Sequence, residues 1–196
     1  MNEMDDMERM KEKNLKKWIW QAGALLLAPL TAVWLMQLAY GAAPWSLSPT
    51  AALANALCIA LLYWPLCGLT GRIAPCCIGI HLAAGLWGAA NYFVNAFRGT
   101  PILPWDLSAL GTAAAVAGNY RFVPTLSMLG ALALIVALGV FLLRKKQRAM
   151  LRLSREQWGV RLACVGTGLL CLVALLPTQK LGNLGVKTDV WDQAGS

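Results

Sequence analysis

WIWQAGALLLAPLTAVWLMQLAY, residues Trp18–Tyr40, contains no acid and no base over 23 positions. A charge at the centre of a bilayer costs at least ~2.5–3.5 kcal/mol, and an apolar run of 18 or more residues is long enough to cross one. Four further apolar runs follow, at Ala51–Thr70, Ile73–Phe97, Val123–Leu143 and Trp158–Leu176. Helices satisfy every backbone group internally in lipid, so all five runs are expected to be helical. Composition agrees. Of the 196 residues 58% are hydrophobic and 13% charged, against about 45–50% and about 25% in soluble domains. This excludes a soluble enzyme, a disordered tail and a disulfide-stapled secreted module. The expected fold class is all-α: a polytopic membrane protein of five transmembrane helices plus a short re-entrant or interfacial outer helix.

The segments around the spans set an expected orientation. Residues 1–17 carry five acids and five bases and read as a charged cytoplasmic N-terminus. The run after them exceeds the ~7–15 residues of a signal-peptide core, so it reads as an uncleaved first span. One side collects Arg9, Lys11, Lys13, Lys16, Lys17, Arg72 and the seven bases from Arg144 to Arg161, thirteen of the seventeen. Arg98, Arg121, Lys180 and Lys187 fall on the other. Lysine and arginine bias in short loops marks the cytoplasmic side, so the N-terminus is expected inside and the C-terminus outside. The transmembrane unit then covers 18–176, with an outer loop at 98–122, a basic cytoplasmic loop at 144–157 and an extracellular tail at 177–196. A positive-inside loop beside anionic lipid accounts for the net charge of +8 without a nucleic-acid partner. Trp18, Trp20 and Trp158 at one face, with Tyr40, Trp45 and Trp105 at the other, suit the headgroup level.

Chemistry inside the spans is sparse. The six cysteines lie within the second, third and fifth spans without Cys-x-x-Cys spacing, and read as small buried apolar residues. No metal site and no catalytic residue is assigned. His81 is the single histidine. As an intramembrane ionisable group it is a functional candidate by default. Its plainer reading is a neutral imidazole hydrogen-bonded to another helix, through Asn55 or Thr167. Gly85 and Ala89 form a small-xxx-small pair suited to helix packing.

The outer loop NYFVNAFRGTPILPWDLSALGTAAAVAGNYRFVPT, residues 91–125, is the informative stretch. Asn91 and Asn95 share a face of the third helix. Arg98 follows at the membrane surface, and Gly99-Thr100-Pro101 ends the helix. Pro104-Trp105-Asp106 opens a new helix, with Asp106 at its first turn. The segment 107–117 spans about 16 Å, too short to cross. Gly118-Asn119-Tyr120 stops it, Arg121 follows, and Pro124 opens the fourth span at its first position. Arg98 and Arg121 are candidate lipid-phosphate contacts, because a guanidinium fork matches phosphate geometry and keeps its charge. Asn91 and Asn95 are placed beside them. Pairing of either arginine with Asp106, to pin the loop, is the equal alternative.

Asn91-Tyr92, Phe97-Arg98-Gly99-Thr100-Pro101, Pro104-Trp105-Asp106-Leu107 and Val116-Ala117-Gly118-Asn119-Tyr120 resemble the membrane domain of bacterial lipoteichoic acid synthase-like proteins. These are phosphoglycerol transferases of the sulfatase/alkaline-phosphatase superfamily that act in cell-wall biogenesis. The resemblance is strongest over residues 91–125 and extends loosely to the five-span, N-in, C-out layout. The tail from Lys187 to Gln193 is similar to the stretch leading toward the extracellular enzyme. The resemblance implies a bacterial plasma-membrane location and phosphatidylglycerol among the lipid partners. It also implies an extracellular catalytic domain, fused or separately encoded, which holds a threonine nucleophile and a divalent metal, manganese in most members. That domain is not in these 196 residues, so the chain is expected to be a truncated or split gene product, or a membrane fragment of a longer one, without activity of its own. The expected function is to anchor that enzyme and present lipid to it. A small self-sufficient transporter or flippase built around His81, Asn55 and Thr167 is the alternative, and a helical interaction partner is a third.

Overall fold

The computed structural model describes residues 3–102 and 122–175, and the described residues form helices joined by short turns. The helices are α1 (Glu3–Tyr40), α2 (Pro49–Thr70), α3 (Ile73–Arg98), α4 (Leu126–Leu143), α5 (Lys145–Met150) and α6 (Trp158–Leu175). Pro44–Ser46 and Arg155–Gln157 are single 3-10 turns. Four helices, α1 to α4, are long and apolar enough to cross a membrane. In α6 the described apolar stretch, Trp158–Leu170, is shorter. The all-helical class is therefore observed, with four helices that qualify by length and composition as membrane spans.

The first span is longer than its apolar run. Charged residues before Trp18 continue into it as one 38-residue helix, about 57 Å against a ~30 Å hydrocarbon core. Hydropathy marks where lipid begins, not where a helix does; Met, Lys and Glu are good helix formers. In this projecting part Lys16 bonds to Glu12 one turn earlier. That hydrogen bond and the ammonium charge hold the Glu12 carboxyl below its usual range.

Pro29 lies inside α1, and its missing N–H deprives the Leu25 carbonyl of an intrahelical donor. The indole of Trp64 on α2 fills the vacancy, donating Nε1–H to that oxygen at 3.0 Å. One residue earlier the Tyr63 hydroxyl donates to the Ala24 carbonyl at 3.1 Å. The proline thus creates an acceptor that Trp64 takes up, and Tyr63 adds a second bond from α2 to the neighbouring carbonyl of α1.

Small residues set the helix spacing elsewhere. Ala28, Ala32, Ala60, Ala74 and Ala84 are buried in the main core around Tyr63 and Ile73. A Cβ at Gly88 of α3 would lie 2.2 Å from the Met36 carbonyl oxygen of α1. A Cβ at Gly168 of α6 would lie 1.9 Å from Pro65 Cγ of α2. Gly85 faces Ile135 of α4, so the Gly85/Ala89 stripe is used within the chain. α1 is central, touching α2, α3 and α4, while α6 packs on α2. The outside of the bundle is apolar: Leu126, Leu62 and Leu170 are each more than 70% exposed, as a lipid-facing surface requires.

Main-chain pairing closes the basic end of the bundle. Gly71 adopts the left-handed conformation that ends α2, at φ 65°, which glycine reaches without steric cost. Its carbonyl accepts from Leu153 N at 3.0 Å, while Ile73 N donates to Leu151 O at 3.1 Å. Arg72 and Arg152 thereby form an isolated antiparallel bridge. Gln21 of α1, 2% exposed, donates to the Met150 and Arg152 carbonyls at 3.1 and 3.0 Å. Gln157 donates back to Gln21 Oε1 at 2.8 Å. Arg161, one turn into the fifth apolar run, donates to the Gly68 and Leu69 carbonyls at 2.8 and 2.9 Å. Orphan carbonyls at the end of α2 are satisfied in this way.

Candidate functional site

The end of α3 opposite the basic turns carries the residues that the sequence nominates. Gly99 ends the helix in the left-handed region at φ 73°, its N–H returning to the Asn95 carbonyl at 2.8 Å. Arg98 occupies the last turn, where its charge faces the negative end of the helix dipole. Its guanidinium donates to the Pro101 carbonyl at 2.9 Å, so part of the fork holds the loop. Asn91 Oδ1 accepts from the Ile102 N–H at 2.7 Å. Asn91 precedes Arg98 by seven residues, about 10 Å along the helix axis. After Gly99 the chain therefore turns back and runs down beside α3.

The far end of the loop meets the same two turns of α3. Phe122 packs edge-to-face on Phe93 and Phe97, with centroids 5.1 and 5.8 Å away. Tyr92 packs edge-on against Phe93 at 5.4 Å. Its ring also lies 3.6 Å from a Cβ built at Gly41, where α1 ends at φ 87°. Both stems of the outer loop are thus fastened to the last turns of α3, one by an amide side chain and one by aromatic rings. The aromatic clasp escaped the sequence reading, although Phe93 and Phe97 stand four apart on one helical face. Phe122 could not be joined to them without knowing where the loop returns.

Pro104, Trp105, Asp106, the 107–117 segment, Asn119, Tyr120 and Arg121 lie outside the described residues, as does the tail beyond Leu175. Asn91, Asn95, Arg98, Gly99 and Pro101 are brought together at one helix end. At the start of the fourth span the structure corrects the sequence. Thr125 caps α4, its hydroxyl accepting from Met128 N at 3.3 Å, and the helix begins at Leu126. Pro124 stays outside the helix. A hydroxyl that takes up an orphan N–H outranks a proline that only pre-sets one dihedral.

The membrane interior offers a polar contact of a different kind. His81 is 4% exposed. Its Nδ1 lies 2.7 Å from the Cys77 carbonyl and its Nε2 lies 3.0 Å from Thr31 Oγ1 on α1. A carbonyl only accepts, so Nδ1 carries a proton, while Nε2 pairs with the Thr31 hydroxyl, which also lies 3.0 and 3.1 Å from the Leu27 and Ala28 carbonyls of its own helix. The expected partners were Asn55 and Thr167. Both instead bond to carbonyls of their own helices, Asn55 to Ala51 and Thr167 to Ala163 and Cys164. α3 packs on α1, which puts Thr31 rather than either of them beside the imidazole. With both ring nitrogens engaged, His81 acts as a tie between helices. Among the described residues no three of His, Cys, Asp and Glu converge as a metal site would require.

Compared with protein-family models, curated protein sequences and solved structures, the chain gives no match. The fold and site define a polytopic helical membrane protein with a loop fastened to one end of its bundle.

Proposed function

We propose that this chain is the membrane domain of a lipoteichoic acid synthase-like phosphoglycerol transferase. In this reading it has five spans, with α6 as the fifth, in the bacterial plasma membrane, N-terminus inside and C-terminus outside. It anchors an extracellular sulfatase-type catalytic domain, which supplies the divalent metal and the chemistry. Its outer loop presents the phosphatidylglycerol headgroup to that domain.

The observation that carries the proposal is the return of the loop along α3. The bond from Ile102 N to Asn91 turns the chain back along α3, which leaves Arg98 at the tip of the helix, where this reading sets the lipid phosphates. Arg121 precedes Phe122, whose ring packs on Phe97, and serves in this reading as the second phosphate contact. A guanidinium at the end of α3, above the aromatic cluster of Phe93, Phe97 and Phe122, suits an anionic headgroup with apolar glyceride beside it.

The test is binding of phosphatidylglycerol, against phosphatidylcholine, to the purified chain in nanodiscs. Charge-assisted hydrogen bonds are worth about 1.5–3 kcal/mol, so Arg98→Ala with Arg121→Ala is expected to weaken binding by roughly tenfold or more. Arg98→Gln keeps a donor for Pro101 and separates loss of charge from loss of the loop anchor. Equal binding by the parent and the double variant would refute the lipid-contact role.

A further inference from the structure

Arg72 and Arg152 stand directly opposite each other across an antiparallel bridge. Opposed residues of such a pair carry their Cβ atoms about 4.5–5.5 Å apart on one face, and like charges placed there repel. Main-chain bonds on either side, between Gly71 and Leu153 and between Ile73 and Leu151, fix the juxtaposition. Lys17, Arg148 and Arg161 border the same two clefts, of about 460 and 370 Å³, which meet at Arg72 and Arg152. Among the described residues the one ion pair is Lys16 with Glu12, so no carboxylate is paired with any of these five cations. The backbone holds positive charge together, and among the described residues no carboxylate is paired with it.

Arg72 also heads a third space. A groove of about 820 Å³ runs from it between α2 and α3, past Pro75, Leu66 and Leu62 to Gly79 and Ala83. Nothing lies within 4 Å of a Cβ built at Gly79, so the floor there is open. α2 and α3 touch each other little although they are consecutive, because both pack on α1. Trp18, Trp20 and Trp158 are exposed around this end of the bundle, which sets it at the headgroup level of a membrane.

We infer that the Arg72–Arg152 cleft, with the α2–α3 groove below it, is a binding site for one anionic phospholipid. The phosphate lies between the two guanidinium groups and an acyl chain lies along the groove. The site is at the opposite end of the bundle from the outer loop and does not depend on the role proposed for that loop. A free phosphate would satisfy the arginines and leave the groove unused, whereas a lipid engages both.

The experiment is native mass spectrometry of the full chain, reconstituted with phosphatidylglycerol and phosphatidylcholine in equal amounts and then extracted in mild detergent. Measured in the Arg98→Ala, Arg121→Ala background, where no lipid is held through the outer-loop arginines, the expected result is one retained anionic lipid, favoured at least tenfold over phosphatidylcholine. Arg72→Gln with Arg152→Gln preserves the main-chain bridge and is expected to lower that retention at least tenfold at unchanged helicity. Gly79→Leu fills the groove without touching charge; it is expected to lower lipid retention while binding of inorganic phosphate stays as in the parent. Arg98→Ala with Arg121→Ala is expected to leave this lipid in place, so the two proposals fail separately. No anionic preference in that background, or equal retention by the Arg72→Gln, Arg152→Gln variant, overturns the inference. Phosphate binding with lipid retention indifferent to Gly79→Leu overturns it as a lipid site.

Discussion

Replacement of Trp64 by phenylalanine keeps an aromatic ring in place and removes the donor that serves the Leu25 carbonyl. Pro29 has already removed that carbonyl's intrahelical partner, so in the variant it faces lipid without any donor. An unsatisfied buried acceptor costs about 1–3 kcal/mol in water-soluble proteins. Side-chain hydrogen bonds within membranes average about 0.6 and reach about 1.7 kcal/mol by double-mutant cycle. The expected loss lies where these ranges meet, at about 1–1.5 kcal/mol. Part of any measured loss comes from the smaller ring, and Pro29→Ala isolates the rest. With alanine at position 29 a backbone N–H returns to Leu25, and Trp64→Phe should then cost under about 0.5 kcal/mol. The coupling between the two substitutions is therefore expected near 1 kcal/mol. Reversible unfolding in mixed micelles, followed by circular dichroism for the four members of the cycle, measures it. Equal cost of Trp64→Phe in both backgrounds would refute the claim that the indole compensates for the proline.

Three further predictions rest on other contacts. Gly88→Val drives a side chain into the Met36 carbonyl and should destabilise the same unfolding transition by at least about 3 kcal/mol, overpacking at backbone being hard to relieve; Gly23→Ala, with open space around it, should cost nothing. Gln21→Leu orphans the Met150 and Arg152 carbonyls, at about 1–3 kcal/mol, and should speed tryptic cleavage at Arg148 and Arg152 severalfold. In a chain whose six native cysteines are replaced, Trp45→Cys and Lys146→Cys should react with an impermeant maleimide from opposite faces of the membrane; labelling from one face only would contradict the span order.

Span positions were legible because lipid imposes length and hydropathy together. The observed ends of α2 and α3 fall within two residues of the apolar runs. The tight reversal at Gly71-Arg72 was legible as well, since the gap left room for nothing else. What the sequence withheld is the choice of neighbours. Nothing in the linear pattern tells that α3 lies on α1, so Thr31 as partner of His81 was hidden. The bond from Trp64 to Leu25 was hidden for the same reason, although Pro29 announces an orphan carbonyl. Pairing of Arg72 with Arg152 joins positions eighty residues apart and carries no local signal. At the outer loop, Asn91 and Arg98 were found from residue type and spacing. Their observed partners, Ile102 and Pro101, are main-chain groups, which sequence does not display.

The central claim is that phosphatidylglycerol sits against the outer loop, and photocrosslinking tests it most directly. A photoactivatable phosphatidylglycerol, confined to the outer leaflet of liposomes holding the oriented chain, is activated and the adducts are mapped by peptide sequencing. The account predicts adducts concentrated in residues 91–125, several times more abundant than with a phosphatidylcholine probe. Adducts spread over the lipid-facing leucines with none enriched in that segment, or equal yields from the two probes, would contradict it.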